Sequence, residues 1–257
     1  MIEQTKQILS GLKCLGMIAS MDTRLTEATS QGWGHIEFIS ALASDEKSYR
    51  DSVKTKRRLK SANFRVDACY ERLDLTAKRN LSRAQIKDLM ELRFIQEPRN
   101  ILLCGPTGVG KTYLASAIGN QACRKGFSCH FIGVNMLMER LMLSRADGTF
   151  LRFRDRLAKV DLLILDDLGI KRLTQEATQD LYDIMEERYQ TKSTIITSQL
   201  PITNWNEVIE DPVALEAIID RLIHGAITLD LKGESYRKKR VTNSRLTSDS
   251  APMEMSV

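Results

Sequence analysis

A chain of 257 residues, of which 42% are apolar, has material for one large domain or for a medium domain beside a small one. It contains no apolar run of about eighteen residues, so no membrane-crossing helix is expected, and Met1-Ile2-Glu3-Gln4-Thr5-Lys6 lacks the basic-then-apolar order of a signal peptide. The five cysteines include no Cys-x-x-Cys pair, which argues against a disulfide framework or zinc site and for reduced thiols in a cytoplasm; the net charge of +5 is only mildly basic.

Residues 1–68 read as a small, polar, all-helical domain. Glu37-Phe38-Ile39-Ser40-Ala41-Leu42-Ala43 opens an amphipathic stretch that ends near Asn63, and no strand-like run occurs there. Lys54, Lys56, Arg57, Arg58 and Lys60 crowd its end. One such run is commonly a solvated face, but clustered positive charge also draws in a polyanion and releases its counterions. Two more basic clusters follow, one at Arg152, Arg154 and Arg156 and one over 237–240. Three together point toward nucleic acid.

From residue 69 to 240 the character changes, and short apolar runs alternate with helical patterns. The runs are Ile101-Leu102-Leu103-Cys104, His130-Phe131-Ile132, Leu162-Leu163-Ile164-Leu165, Thr194-Ile195-Ile196-Thr197 and Ile227-Thr228-Leu229. Continuously apolar strands separated by helices predict an α/β fold with a mostly parallel sheet covered on both faces. The polar, Ser-rich residues 241–257 read as a disordered tail.

The first strand runs into Gly105-Pro106-Thr107-Gly108-Val109-Gly110-Lys111-Thr112, which meets the phosphate-loop pattern G-x-x-x-x-G-K-[ST] at every fixed position. Glycines let backbone N–H groups turn inward around an anion, and the helix that follows adds its N-terminal dipole. Lys111 is expected to reach the β- and γ-phosphates of ATP, and the Thr112 hydroxyl to bind Mg²⁺. Tyr113, next in the helix, is counted with the nucleotide-binding residues. The third strand ends in Asp166-Asp167. Asp166 is expected to hold the metal, and Asp167 either polarises the attacking water or caps the turn before Gly169. Thr197-Ser198-Gln199 closes the fourth strand, where Gln199 or Ser198 either senses the γ-phosphate or simply ends the strand before Pro201. Arg221 reads, on spacing alone, as one half of a surface ion pair. The three histidines show no metal-ligand spacing.

Taken together these segments resemble the IstB-type transposition helper ATPases, relatives of the DnaC helicase loaders within the AAA+ class. The likeness runs from about Leu12 to Arg240. It rests on the phosphate loop, Asp161 to Gly169, Arg188-Tyr189, Ser193 to Pro201 with Trp205 following, Asp220-Arg221-Leu222-Ile223-His224 and Gly233-Glu234-Ser235-Tyr236-Arg237. The resemblance implies an AAA+ core behind the helical domain, with a reduced C-terminal lid. It implies slow, DNA-stimulated ATP hydrolysis and ATP-dependent assembly of many copies into a spiral or ring on double-stranded DNA, largely independent of sequence. A cognate transposase is the implied partner, and a bacterial cytoplasm, on the nucleoid when DNA is bound, the implied location. Arg221 would then be an arginine finger reaching into the next subunit, and Arg237 a second sensor. Two residues depart from the related patterns: Asp167 stands where many AAA+ proteins have Glu, and Gln199 where the loaders more often have Asn.

In the initiator and loader branch, an inserted helix between the second and third strands faces DNA. The resemblance therefore makes Arg145, Arg152, Arg154 and Arg156 phosphate-contact candidates, with Lys54, Arg57 and Arg58 a second group serving DNA or the transposase. A DnaC-like helicase loader is the nearest alternative reading. A small-molecule kinase with the same loop is a third, although paired aspartates suit water as acceptor better than a metabolite.

Overall fold

The computed structural model describes residues 1–76 and 79–236; Arg237 and the tail fall outside them. Contacts divide the chain into two compact units, Met1–Arg58 and a second beginning at Leu59.

The first unit is helical: α1 (Ile2–Gly11), α2 (Leu15–Gln31) and most of α3 (His35–Ala62). Two helices cross closely at Gly16, where a Cβ would lie 2.6 Å from Tyr49 Cβ and 2.8 Å from the Glu46 backbone. The buried Glu46 carboxylate accepts from Gly16 N–H at 2.6 Å and Met17 N–H at 3.1 Å, satisfying donors that the start of α2 leaves without helical partners. Lys54 and Arg57 are exposed along α3, and Arg58 is half-buried.

The second unit continues with α4 (Arg83–Glu91), the short α5 (Arg93–Gln96), β1 (Ile101–Cys104), α6 (Lys111–Arg124), β2 (Cys129–Gly133), α7 (Val134–Ala146), α8 (Phe150–Lys159), β3 (Leu162–Leu168), α9 (Gln175–Arg188), β4 (Ser193–Ser198), α10 (Pro212–Ile223) and β5 (Ile227–Asp230). The strands form one parallel sheet in the order β2-β3-β4-β1-β5. All five apolar runs are strands. The pleat explains why they show no alternation: Ile101, Leu103 and Ile164 enter the core on the α6 face, whereas Leu102, Leu163 and Leu165 enter the core built with α7, α9 and α10.

This order carries the site. β4 lies between β1, which feeds the phosphate loop, and β3, which carries the paired acids, so side chains leaving β4 reach both. A register shift between Leu165 and Leu168 interrupts the β3–β4 ladder where Asp166 and Asp167 sit, and Asp167 adopts φ +63°. A bulge of this kind re-aims side chains at a strand end.

Candidate nucleotide site

The loop after β1 is shaped by contacts that exclude larger residues. At Gly105, φ +140°, a Cβ would lie 2.2 Å from the Leu231 carbonyl oxygen; at Gly108, φ +87°, it would lie 2.1 Å from Ser235 Oγ. The loop ends at Gly110, the N-cap of α6, so the first helical N–H groups lack side-chain acceptors and favour an anion. A cavity of about 410 Å³ opens over it, lined among others by Arg65, Thr107, Lys111, Thr112, Tyr113, Asp167, Gln199 and Tyr236. Lys111 is buried and donates from Nζ to the carbonyls of Gly105 at 2.7 Å and Pro106 at 3.0 Å.

The acids meet the loop through hydroxyls. Thr112 Oγ1 lies 3.0 and 3.2 Å from the two Asp166 carboxylate oxygens. Thr197 Oγ1 donates to Asp166 Oδ1 at 2.7 Å and accepts from the Asp167 N–H at 2.9 Å. One buried hydroxyl therefore orients Asp166 and pins the left-handed backbone of Asp167. Burial, followed by the neighbouring charge of Asp167, raises the Asp166 pKa against the pull of these hydrogen bonds. Asp167 itself pairs with Arg65 Nη1 at 3.5 Å. Hard oxygen donors from a hydroxyl and a carboxylate, side by side at the end of a phosphate loop, fit Mg²⁺, which keeps most of its ligands as water and phosphate. Among the described residues no cluster of three or more His, Cys, Asp or Glu could hold a metal ion alone.

Of the two polar residues at the end of β4, Gln199 reaches the loop: its Oε1 accepts from Thr107 Oγ1 at 2.7 Å. Ser198 is occupied with backbone, donating to the Leu168 carbonyl at 2.9 Å and accepting from Leu200 N–H at 3.1 Å.

Arg221 is elsewhere. Its carbonyl accepts from Asn100 Nδ2 at 3.2 Å, and Asn100 precedes β1. Arg221 thus lies at the end of the sheet opposite the phosphate loop, one four-residue strand or roughly 13 Å away. Its guanidinium pairs with Glu186 and rests over the Tyr182 ring, 4.9 Å from the centroid.

The arginines of α7 and α8 divide by helical face. Arg145 forms a forked ion pair with buried Asp180, at 2.8 Å through Nη1, and Arg154 pairs with Glu187 at 3.1 Å; both therefore turn toward α9. Arg152 and Arg156, four residues apart, are exposed, and Arg156 Nη2 lies 3.3 Å from His130 Nδ1. His130 is buried, and burial with the charges of Arg156 and Arg140 brings its pKa down to about 4.

Sequence reasoning passed over Arg65, Thr197, Asp74, Arg79 and Tyr236. The last three form a clasp beside the loop. Tyr236 N–H donates to the Gly108 carbonyl at 3.0 Å, its hydroxyl to Asp74 Oδ2 at 2.5 Å, and its ring stacks 4.4 Å from the Arg79 guanidinium. Only the Ser-Tyr-Arg segment gave a signal for this cluster; its other members lie more than a hundred and fifty positions away, Tyr236 and Asp74 being 162 residues apart.

Comparison with known proteins agrees with this geometry. The chain matches the family model described as IstB-like ATP binding protein over residues 7–244. It is 39% identical over 232 residues to an insertion sequence ATP-binding protein, y4pL, of Sinorhizobium fredii, covering 90% of this chain and 95% of the relative. The fold resembles the crystal structure of DnaI (TM-score 0.56, 25% identity, 69% of this chain and 94% of that one) and of the DnaC helicase loader (TM-score 0.50, 25% identity, 59% and 92%). With its phosphate loop, paired acids and parallel AAA+ sheet, the chain belongs to the family of IstB-like ATP-binding proteins.

Proposed function

We propose that the protein is an ATPase that assembles with other copies of itself on double-stranded DNA and there recruits and stimulates the transposase of an insertion sequence. The observation that carries this reading is the split site. The phosphate loop, Thr112, Asp166 and Asp167 converge at one end of the sheet, while Arg221 lies at the other, so a finger arginine would serve only a neighbouring copy's nucleotide. The family and the insertion-sequence relative supply the biological setting.

In this reading Lys111 exchanges the Gly105 and Pro106 carbonyls for the phosphates of ATP. Thr112 and Asp166 would hold Mg²⁺, which would supply positive charge against the phosphates. Asp167 orients a water and accepts its proton while the water oxygen attacks the γ-phosphorus; the bond to the bridging oxygen breaks and ADP leaves with inorganic phosphate. Aspartate is one methylene shorter than glutamate, so the base stands back from the water and turnover is slow. Gln199, whose Oε1 accepts from Thr107 Oγ1 in the loop, registers the terminal phosphate in this reading. Arg221 of the adjoining copy completes the charge, so assembly requires ATP and hydrolysis loosens it. Arg152 and Arg156, with Lys54, Arg57 and Arg58, contact DNA phosphates without reading bases.

The fold likeness to DnaI and DnaC supports a second reading, a helicase loader acting on single-stranded DNA. Turnover assayed with duplex, single strand and no DNA separates them. Stimulation by duplex favours the transposition helper, and stimulation by single strand alone favours the loader.

A further inference from the structure

Resting on the ATPase reading above, we propose that Arg65 is a further catalytic residue, a cation supplied in cis that binds the terminal phosphate of ATP and is parked on Asp167 until the nucleotide arrives. Arg65 lies three residues beyond the end of α3 at Ala62 and lines the same cavity as Lys111, Thr112 and Gln199. Its Nη1 stands 3.5 Å from Asp167 Oδ2, longer than the 2.7–2.9 Å of a tight charge-assisted hydrogen bond, and its side chain is 64% exposed. It is therefore held loosely and can move.

The charges in the cavity argue for a transfer. Lys111 is committed to the loop, and Arg221 sits at the far end of the sheet. Arg65 is the one arginine among the described residues that line this cavity, and it stands beside the paired acids. A triphosphate seated on the loop presents its terminal oxygens next to Thr112 and Asp166, one residue in the chain from the carboxylate that Arg65 holds. Guanidinium pairs with phosphate as a fork and more strongly than with a single carboxylate oxygen. The transfer leaves Asp167 unpaired for its water, so arrival of the substrate releases the base. ADP lacks the terminal group and leaves Arg65 on Asp167.

The test measures binding of fluorescent ATP and ADP analogues, with turnover, in the full chain as wild type, Arg65→Gln and Arg65→Lys. The side chain is exposed, so these substitutions leave the fold intact, and matched melting temperatures check it. Arg65→Gln is expected to lose about tenfold or more in affinity for the ATP analogue with ADP affinity unchanged, and to turn over more slowly; Arg65→Lys recovers part of both. Equal ATP affinity in Arg65→Gln and wild type overturns the proposal, as does faster turnover, which would make Arg65 a restraint on Asp167 alone. A wild-type protein that binds neither analogue would instead overturn the ATPase reading beneath it.

Discussion

Asp166 sits at the conflict between stability and function. Its carboxyl is almost wholly buried, and its folded-state pKa is raised above the ordinary 3.8. The folded chain therefore holds this proton more tightly than the unfolded chain does. Across the interval between the two pKa values, stability falls as pH rises, and the penalty is complete above the folded value. Asp166→Asn keeps an oxygen to accept from Thr112 and Thr197 and removes the charge. It is expected to melt at a higher temperature than wild type at neutral pH, with the gain shrinking as pH drops toward 3.8, while hydrolysis is lost. Melting curves across pH decide this, and a destabilised Asn variant at neutral pH would contradict it. Asp167→Asn separates binding from chemistry: ATP affinity persists and turnover falls by about a hundredfold or more, which binding and steady-state assays measure together.

At the scale of elements, Arg188 joins three of them. Buried at the end of α9, it donates to the Leu157 carbonyl at 2.7 Å and the Val160 carbonyl at 2.9 Å beyond α8, to the Ser193 carbonyl, and to Thr194 Oγ1 at 3.0 Å in β4. A cation at the end of a helix suits the carbonyls left open there. Arg188→Met should cost about 3 kcal/mol or more by leaving several buried acceptors unsatisfied, measured by denaturant unfolding. The arginines of α7 and α8 differ in their partners. Arg152→Ala with Arg156→Ala is expected to weaken binding to every DNA sequence alike and to lower the salt slope by about two. Arg145→Ala is instead expected to lower the melting temperature, because it strips buried Asp180 of its partner. A loss confined to one DNA sequence would contradict the phosphate-contact role.

These elements also mark how much was legible in the chain. The phosphate loop, the Asp166-Asp167 pair and all five strands were readable because each is a local pattern: glycines at fixed spacing, an acid after an apolar run, continuous apolarity for a doubly covered sheet. The ion pairs of Arg145 and Arg154 were not. Arg154 alternates with Arg152 and Arg156 like one basic stripe in sequence, but a helix places alternate residues on different faces, and the acids that pair with Arg154 in α8 and Arg145 in α7 belong to α9. Thr197 and Arg65 were missed for the same reason. A threonine in a strand carries no signal until the sheet order brings β4 between β1 and β3, nor does an arginine after a helix until the fold sets it beside Asp167.

For the whole molecule, the proposed function makes hydrolysis a property of the assembly, because Arg221 lies away from its own phosphate loop. Lys111→Ala and Arg221→Ala should each be inactive alone. A mixture should regain part of the activity, since a subunit with an intact loop can adjoin one with an intact finger; a turnover assay on mixed variants reads this directly, and a mixture as inactive as its components would count against a finger acting between copies. The most direct test of the central claim is sedimentation of the full chain with a long duplex and with a single strand of equal length, each with ATP and with ADP. The account predicts large assemblies only on duplex with ATP, absent in Lys111→Ala. Assembly that forms equally with ADP, or that prefers the single strand, would contradict it.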